Sequence, residues 1–310
     1  MNKYYYSEIF NSIQGEGMFT GQWTIWLRFF MCNLQCNGFG QKFPTKPETW
    51  ELPFEQFDVS TVDRVEDLPV WDKGCDSSYT WAKKFKHLMG HKTAAEIVDQ
   101  IRQTTITDSN PDGTFFHPNS KMRADMCFTG GEPLMKPAQR AVMEIYQLFK
   151  DQENLPRSIT FETNGTQPLS DDFKSFLTNH GTFNTPLLFS VSPKLWTVAG
   201  EKREKAIKPN IVADYKQIGD WVNANSKPTL PSGQLKFVVG ADKEQWDELE
   251  EVVDIFRQAG VNWPVYIMPV GAREEEQTAT AGEVAKIAFE RGYNVSARVH
   301  VYLFGNQIGT

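Results

Sequence analysis

Repeated strand–helix units in this sequence predict an α/β fold, with a parallel sheet, barrel or open, and helices outside it. Three observations carry that expectation. Short apolar runs rich in β-branched and aromatic residues recur along the chain, amphipathic runs of helical period fall between them, and polar motifs sit where the apolar runs end. In parallel α/β sheets functional groups collect at the carboxyl ends of strands, so the third observation concerns chemistry as well as fold.

The elements follow in order. WTIWLRFF (23–30) reads as a strand running into Cys32. Residues 37–74, rich in Pro, Gly and charge, read as an insertion of irregular or short structure. TAAEIVDQIRQ (93–103) places Ala95, Ile97, Val98 and Ile101 at helical spacing, and 104–120 reads as a loop. A strand (ADMCFTG), a helix (PAQRAVMEIYQLFKDQ), a strand (SITFET), a polar segment and a strand (LLFSVS) come next. Residues 198–230 show little pattern. A strand (QLKFVV), a long helix (EQWDELEEVVDIFRQAG), a strand (VYIMPV), a helix (AGEVAKIAFERG) and a final strand (VSARVHV) complete the chain.

With 310 residues and 13% aromatics, the chain can bury a substantial core and is not a disordered one. A formal net charge of −7 excludes a general binder of nucleic acid or membrane surfaces. No apolar run approaches the roughly 18 residues of a membrane span. MNKYYYSEIF lacks a basic start followed by an apolar stretch, so the expected location is the cytoplasm. Four cysteines are too few for a disulfide framework in a chain this long, which favours a metal or catalytic role.

Cys32 and Cys36 form a C-x3-C pair. A third ligand after two intervening residues would fall at position 39, which is Phe39; the next cysteine is Cys75. Three thiolates on a loop can hold three irons of a [4Fe–4S] cluster and leave the fourth open. From spacing alone, a zinc site and inert buried thiols remain open too. Cys127, in mid-strand, reads as a small core residue. TGGEP (129–133) offers two glycines for close backbone approach and a carboxylate, or a simple turn. SIQGEG (12–17) brings Gln14 and Glu16 onto a permissive backbone suited to a flat heterocycle, or forms a polar hairpin. Arg28 is either a bidentate partner for a substrate carboxylate or a surface arginine.

Taken together, FNSIQGEGMFTG, LRFFMCNLQC, CDSSYTW, FTGGEP, FETNGT, SVSPK, LKFVV, IMPVG and RVHVYLFGN occur in the order found in the 7-carboxy-7-deazaguanine synthases. These are radical S-adenosylmethionine (SAM) enzymes of queuosine-precursor biosynthesis. The chain resembles that family over 5–310, apart from 37–74, 104–120 and much of 198–230. The resemblance implies a partial (β/α)6-type radical SAM barrel formed by 1–310 as one domain. CDSSYTW matches the family's cluster-loop ending and nothing near Phe39 does, so 37–74 is expected to lie between the second and third cluster ligands.

By the same resemblance, Cys32, Cys36 and Cys75 hold a [4Fe–4S] cluster and Ser77 is a hydroxyl ligand to Mg²⁺. Gly131, Glu132, Glu162, Ser192, Pro193, Lys194, Met268 and Pro269 are implied SAM contacts. Ile13, Gln14, Gly15, Glu16, Arg28 and Thr129 are implied contacts of the pterin substrate, with His300 closing over it. The implied reaction is a Mg-dependent ring contraction of 6-carboxy-5,6,7,8-tetrahydropterin to 7-carboxy-7-deazaguanine with loss of ammonia. A flavodoxin- or ferredoxin-type reductant and a homodimer are implied as well. In the family an aromatic residue usually precedes the third cysteine, near the adenine. Here that residue is Gly74, and Trp71 or another insertion residue is expected to replace it.

Two other readings compete. A radical SAM activase of a glycyl-radical enzyme would share the cluster and GGEP, but has no need of QGEG, Arg28 or His300. A non-catalytic regulatory or binding descendant is favoured by the split loop and opposed by the presence of the remaining site motifs.

Overall fold

The computed structural model describes residues 2–226, 230–305 and 307–310. Its strands are β1 (Lys3–Ile13), β2 (Trp23–Phe29), β3 (Gly90–Thr93), β4 (Asp125–Gly130), β5 (Ile159–Thr163), β6 (Leu187–Val191), β7 (Gly233–Val239), β8 (Val265–Pro269) and β9 (Asn294–Val295). They form one open sheet in the order β3-β1-β2-β4-β5-β6-β7-β8-β9. From β2 through β4 to β9 the neighbours run parallel. β1 adds antiparallel pairs with β2 and β3. The α/β expectation therefore holds, as an open sheet with an antiparallel extension that strand–helix alternation does not foresee.

Alternation along the strands separates two environments. One face carries Leu27, Phe128, Phe161, Phe189, Phe237 and Ile267, each fully buried. Phe128, Phe161 and Phe189 are register partners on adjacent strands, with ring centroids 5.6 and 5.7 Å apart. Each such ring contributes roughly 1.5–3 kcal/mol relative to exposure. The opposite face presents Arg28, Thr129, Glu162, Lys236 and Met268 to a cavity at the carboxyl ends of the parallel strands.

Helices cover the apolar face. Ala94–Thr105 starts with a capping box, in which Thr93 Oγ1 accepts from the Glu96 N–H (3.3 Å) and Glu96 Oε2 accepts from the Thr93 N–H (2.8 Å). Lys136–Asp151 and Lys243–Gln258 match the sequence expectation within two residues. Three segments differ from it. The polar stretch after β5 contains a helix, Asp171–Thr178, started by the Ser170 hydroxyl, which accepts from the Phe173 N–H. The patternless 198–230 contains the helix Pro209–Ser226, which buries Val212, Tyr215, Gly219 and Val222 on one stripe. A glycine and a tyrosine in the stripe hide its period from a count of aliphatic residues; residues 227–229 of this stretch lie outside the described ones. The helix expected over 281–292 begins at Glu274, where three successive glutamates favour the N-terminal end of the helix dipole.

The final strand is also corrected. Only Asn294–Val295 pair with β8, and Val299–Phe304 is helical. After Ser296, whose N–H still donates to Ile267 O (2.8 Å), Arg298 turns into an ion-pair network and draws the chain off the sheet edge. Asn306, the last residue of RVHVYLFGN, lies outside the described residues.

Residues 37–74 consist of short helical turns and loops, as expected. They are not without a core. Phe54, Val65, Leu68 and Trp71 pack with Tyr79, Ala82, Phe85 and Met89 into a second buried cluster, separate from the main one.

Candidate active site

A cavity of about 710 Å³ opens at the carboxyl rim of the sheet. Cys32 follows β2 after Met31, whose positive φ of 109° turns the chain and whose N–H donates to Thr80 O (2.7 Å). Glu201 Oε1 accepts from the backbone N–H groups of both Gln35 and Cys36 (2.7 Å each), fixing the loop between the first two thiols. Gly131 and Glu132 tie to the same loop through N–H bonds to Phe29 O (3.2 Å) and Met31 O (2.8 Å).

The insertion leaves and returns through a narrow neck. The Gly74 N–H donates to Phe39 O (2.8 Å). Beside it, Gly40 (φ +66°) lies so close to the Asp72 carbonyl that a Cβ there would stand 2.1 Å from the oxygen. The crossing brings Cys75 back beside Cys36, and Cys32, Cys36 and Cys75 all line the cavity as free thiols. Burial, the Glu132 charge and the neighbouring thiol push Cys32 up to about 12. Cys36 stands well above the usual thiol range because it is buried, against the pull of Lys194; burial and Asp76 raise Cys75.

As thiols the three are protonated, and a metal would bind by displacing those protons. Among the described residues no three His, Cys, Asp or Glu side chains converge as a single metal ion requires. A cubane cluster asks something different, three thiolates around one space, each on its own iron. The donor set fits that group.

The rest of the wall is an arc of charge. Arg28 Nε and the Tyr79 hydroxyl both donate to Glu8 Oε1, each at 2.6 Å. Among the described residues no protein acceptor hydrogen-bonds the Arg28 Nη atoms, so the fork is available to a ligand in the cavity. Lys236 Nζ bridges Glu16 Oε2 (2.5 Å) and Glu162 Oε2 (2.8 Å), and Gln14 Nε2 donates to Glu162 Oε1 (3.2 Å). Arg298 continues the chain, with Nε on Glu16 Oε1 (3.1 Å), Nη2 on Asp76 Oδ2 (3.0 Å) and Nη1 on Gly271 O (3.0 Å). Burial opposes the Glu16 charge, but Lys236, Arg298 and His300 outweigh it and hold the carboxyl below its ordinary range. Burial likewise opposes the Lys236 cation, and the two glutamates outweigh it and raise its pKa. At His300 burial wins, lowering the ring to about 4, so it is neutral near pH 7. The ring lies on Gly15, where a Cβ would stand 1.9 Å from Nδ1; only glycine leaves room.

Of the residues singled out from the sequence, Cys32, Cys36, Cys75, Ser77, Ile13, Gln14, Gly15, Glu16, Arg28, Thr129 and His300 line this one cavity. So do Gly131, Glu162, Ser192, Lys194, Met268 and Pro269. Glu132 and Pro193 do not. Glu132 is fully buried behind the wall, its oxygens accepting from Thr163 Oγ1 (2.7 Å), the Asn164 N–H (2.8 Å) and the Leu134 N–H (3.0 Å). Burial raises it to about 7. Cys127 is a fully buried strand residue, as expected.

Sequence reasoning missed Lys236, Arg298, Asp76 and Tyr79. Lys236 had a signal, as the lone charge in the apolar run QLKFVV; the others had none outside the fold. Trp71 lines the cavity, with its indole N–H buried and unpartnered. Phe39 lines it as well, with Lys194 Nζ 5.7 Å from its ring centroid and donating to Ser192 Oγ (2.9 Å).

An open, largely parallel sheet with three free thiols and a guanidinium fork at its carboxyl rim defines an α/β protein with a candidate metal-cluster centre. No protein-family model matches the chain. It is similar to the 7-carboxy-7-deazaguanine synthase of Halobacterium salinarum, 26% identical over 97% of this chain and 90% of the relative. Enzymes of the same name from Rhodopirellula baltica (23% identical, 98% and 88% covered) and Hyperthermus butylicus (24% identical, 95% and 90% covered) are similar over the same span. The chain is thus an enzyme similar over nearly its whole length to the 7-carboxy-7-deazaguanine synthases, the family its motifs resemble. Among solved structures, QueE from Escherichia coli is 16% identical, covers 96% of this chain and 95% of its own, and superposes with a TM-score of 0.47.

Proposed function

We propose that this chain is a radical SAM enzyme that converts 6-carboxy-5,6,7,8-tetrahydropterin to 7-carboxy-7-deazaguanine by Mg-dependent ring contraction with loss of ammonia. The observation that carries the reading is the meeting of three free thiols and an available guanidinium fork in one cavity, in a chain whose relatives bear that name. Cys32, Cys36 and Cys75 would hold a [4Fe–4S] cluster. Gly131, Glu162, Ser192, Lys194, Met268 and Pro269 would contact SAM. When bound, cluster and SAM supply the one-electron chemistry that removes a hydrogen atom from the substrate.

The protein's own part is to bind, orient and exclude water. Arg28 offers its Nη groups to a substrate carboxylate while Glu8, itself accepting from the Tyr79 hydroxyl, holds its other edge. Glu16 remains an ionised acceptor for the ring nitrogens of a flat heterocycle, oriented by Lys236 and Arg298. Gln14, Ile13, Gly15 and Thr129 complete that cradle, with neutral His300 beside it as a hydrogen-bonding group. Ser77, whose Oγ is 3.5 Å from Cys75 Sγ, would hold Mg²⁺ next to the substrate carboxylate. The whole of 1–310 acts as one catalytic domain, with 37–74 as its insertion. A flavodoxin- or ferredoxin-type reductant, a homodimeric state and a cytoplasmic location complete the reading. Among the described residues no helix is long and apolar enough to cross a membrane.

The test is turnover. Anaerobically reconstituted, reduced protein given SAM, Mg²⁺ and the carboxypterin is expected to form the deazaguanine acid, more slowly without Mg²⁺ and in Ser77→Ala. Cluster-loaded protein that cleaves SAM but forms no product with this pterin would overturn the substrate assignment.

A further inference from the structure

Asn164 follows β5 on the cavity wall, and the function proposed above gives it no task. Its Oδ1 accepts from the Thr166 backbone N–H (3.0 Å) and from Thr166 Oγ1 (2.6 Å). A backbone N–H can only donate, so this contact decides which end of the carboxamide is oxygen. The NH₂ end then points to Asn33 Oδ1 (3.1 Å) and to Cys32 Sγ (3.8 Å). Asn33 Nδ2 in turn donates to Thr166 Oγ1 (2.8 Å). Asn164, Asn33 and Thr166 thus close a ring of side-chain hydrogen bonds with one sense of donation. The ring engages one Asn164 N–H and leaves the other for the Cys32 sulfur. From below, Glu132 Oε2 accepts the Asn164 backbone N–H (2.8 Å) and holds the residue in place.

We infer that Asn164 is a positioning residue that raises the reduction potential of the centre held by Cys32, by donating an N–H hydrogen bond to its sulfur. The inference rests on the reading of Cys32 as a cluster ligand. A donor on a cysteinyl sulfur stabilises the more negatively charged, reduced cluster more than the oxidised one. The Leu34 N–H, 3.5 Å from the same sulfur, is a backbone donor that no side-chain substitution removes. Asn164 is therefore the adjustable one.

The experiment compares the parent with Asn164→Leu, Asn164→Asp and Asn33→Leu, all reconstituted anaerobically. Iron and sulfide content, midpoint potential by redox titration followed by EPR, and the deuterium sensitivity of the Fe–S(Cys) stretches by resonance Raman are read for each. Both leucine variants break the hydrogen-bonded ring, but only Asn164→Leu removes the N–H facing sulfur. Asn164→Asp keeps the oxygen that Thr166 needs and serves if the leucine variant does not fold. The expected result is a midpoint shifted to more negative potential, with weakened deuterium sensitivity, in both Asn164 variants, while Asn33→Leu titrates with the parent. Equal potentials in parent and Asn164 variants, or a matching shift in Asn33→Leu, would overturn the inference. A parent chain that takes up no iron would instead overturn the ligand reading beneath it.

Discussion

The carboxyl rim of the sheet and the 37–74 insertion face each other across one cavity, and they are built differently. The rim presents Arg28, Glu162 and Lys236 on strands whose hydrogen-bond ladders leave them little freedom, with Glu16 from the segment after β1. Lys236 pairs with both glutamates and Arg28 separately with Glu8. The insertion presents a mainly aromatic and backbone wall through Phe39, Trp71 and Gly74, held by the small second core and a neck one hydrogen bond wide. Its charges Asp72 and Lys73 are part-exposed, and Lys73 pairs with Glu51 inside the insertion. Buried charges demand fixed partners, because an uncompensated one is expensive to keep from water. An apolar wall demands only shape. This difference lets a long segment enter the cysteine loop without disturbing the polar half of the site.

The contrast can be broken at four points. The largest effect is expected at the neck's far side, where Cys75→Ala should lower iron and sulfide uptake about tenfold or more, while Cys127→Ala on the sheet leaves it unchanged. Equal cluster content in Cys75→Ala and parent would remove the insertion from the site's chemistry. Next comes the rim. Lys236→Met leaves Glu16 and Glu162 without their shared cation, and urea unfolding should report a loss of about 3–5 kcal/mol. A loss below about 1 kcal/mol would mean that water, not Lys236, compensates these carboxylates.

Within the insertion, Phe54→Ala empties the middle of the second core, where Phe54 meets Trp81 at 5.5 Å. A cost of about 3 kcal/mol is expected, read as faster proteolysis within 42–73 at unchanged amide exchange in β4–β8. Protection lost equally in both regions would show one cooperative unit instead of two.

The smallest effect concerns Glu132, the buried carboxyl behind the rim. Its value of about 7 in the folded chain stands above the ordinary 4.5, so between those values the folded state holds more protons than the unfolded one. Stability therefore falls as pH rises from about 4.5 to about 7, then levels, by about 1–3 kcal/mol. Urea midpoints of the cluster-free protein should show this slope in the parent and its loss in Glu132→Gln.

Much of the site was legible in the amino-acid sequence. The QGEG segment, Cys32, the Gly131 loop and Ser192 to Lys194 end or precede apolar runs, Arg28 lies near the end of one, and the parallel sheet carries such ends to one rim. Glu132 and Pro193 belong to the right loops but do not line the cavity; a motif names neighbours in sequence, not which of them reach the site. Arg298 and Asp76 gave no signal, since each acquires meaning only from the other at 3.0 Å. The reading of VSARVHV as a strand failed for the same reason. Its alternation is genuine, but the sheet offers only Tyr266 and Ile267 as partners, and Arg298 is claimed by Glu16 and Asp76.

Local pattern was enough for the parallel strands and most of the covering helices, because period and residue chemistry are properties of short segments. The meeting of Cys75 with Cys32 and Cys36, the pairing of Lys236 with two glutamates distant in sequence, and the second core under the insertion came only with the tertiary structure. Each depends on which segments the long-range packing brings within a few ångströms, and no segment carries that information alone.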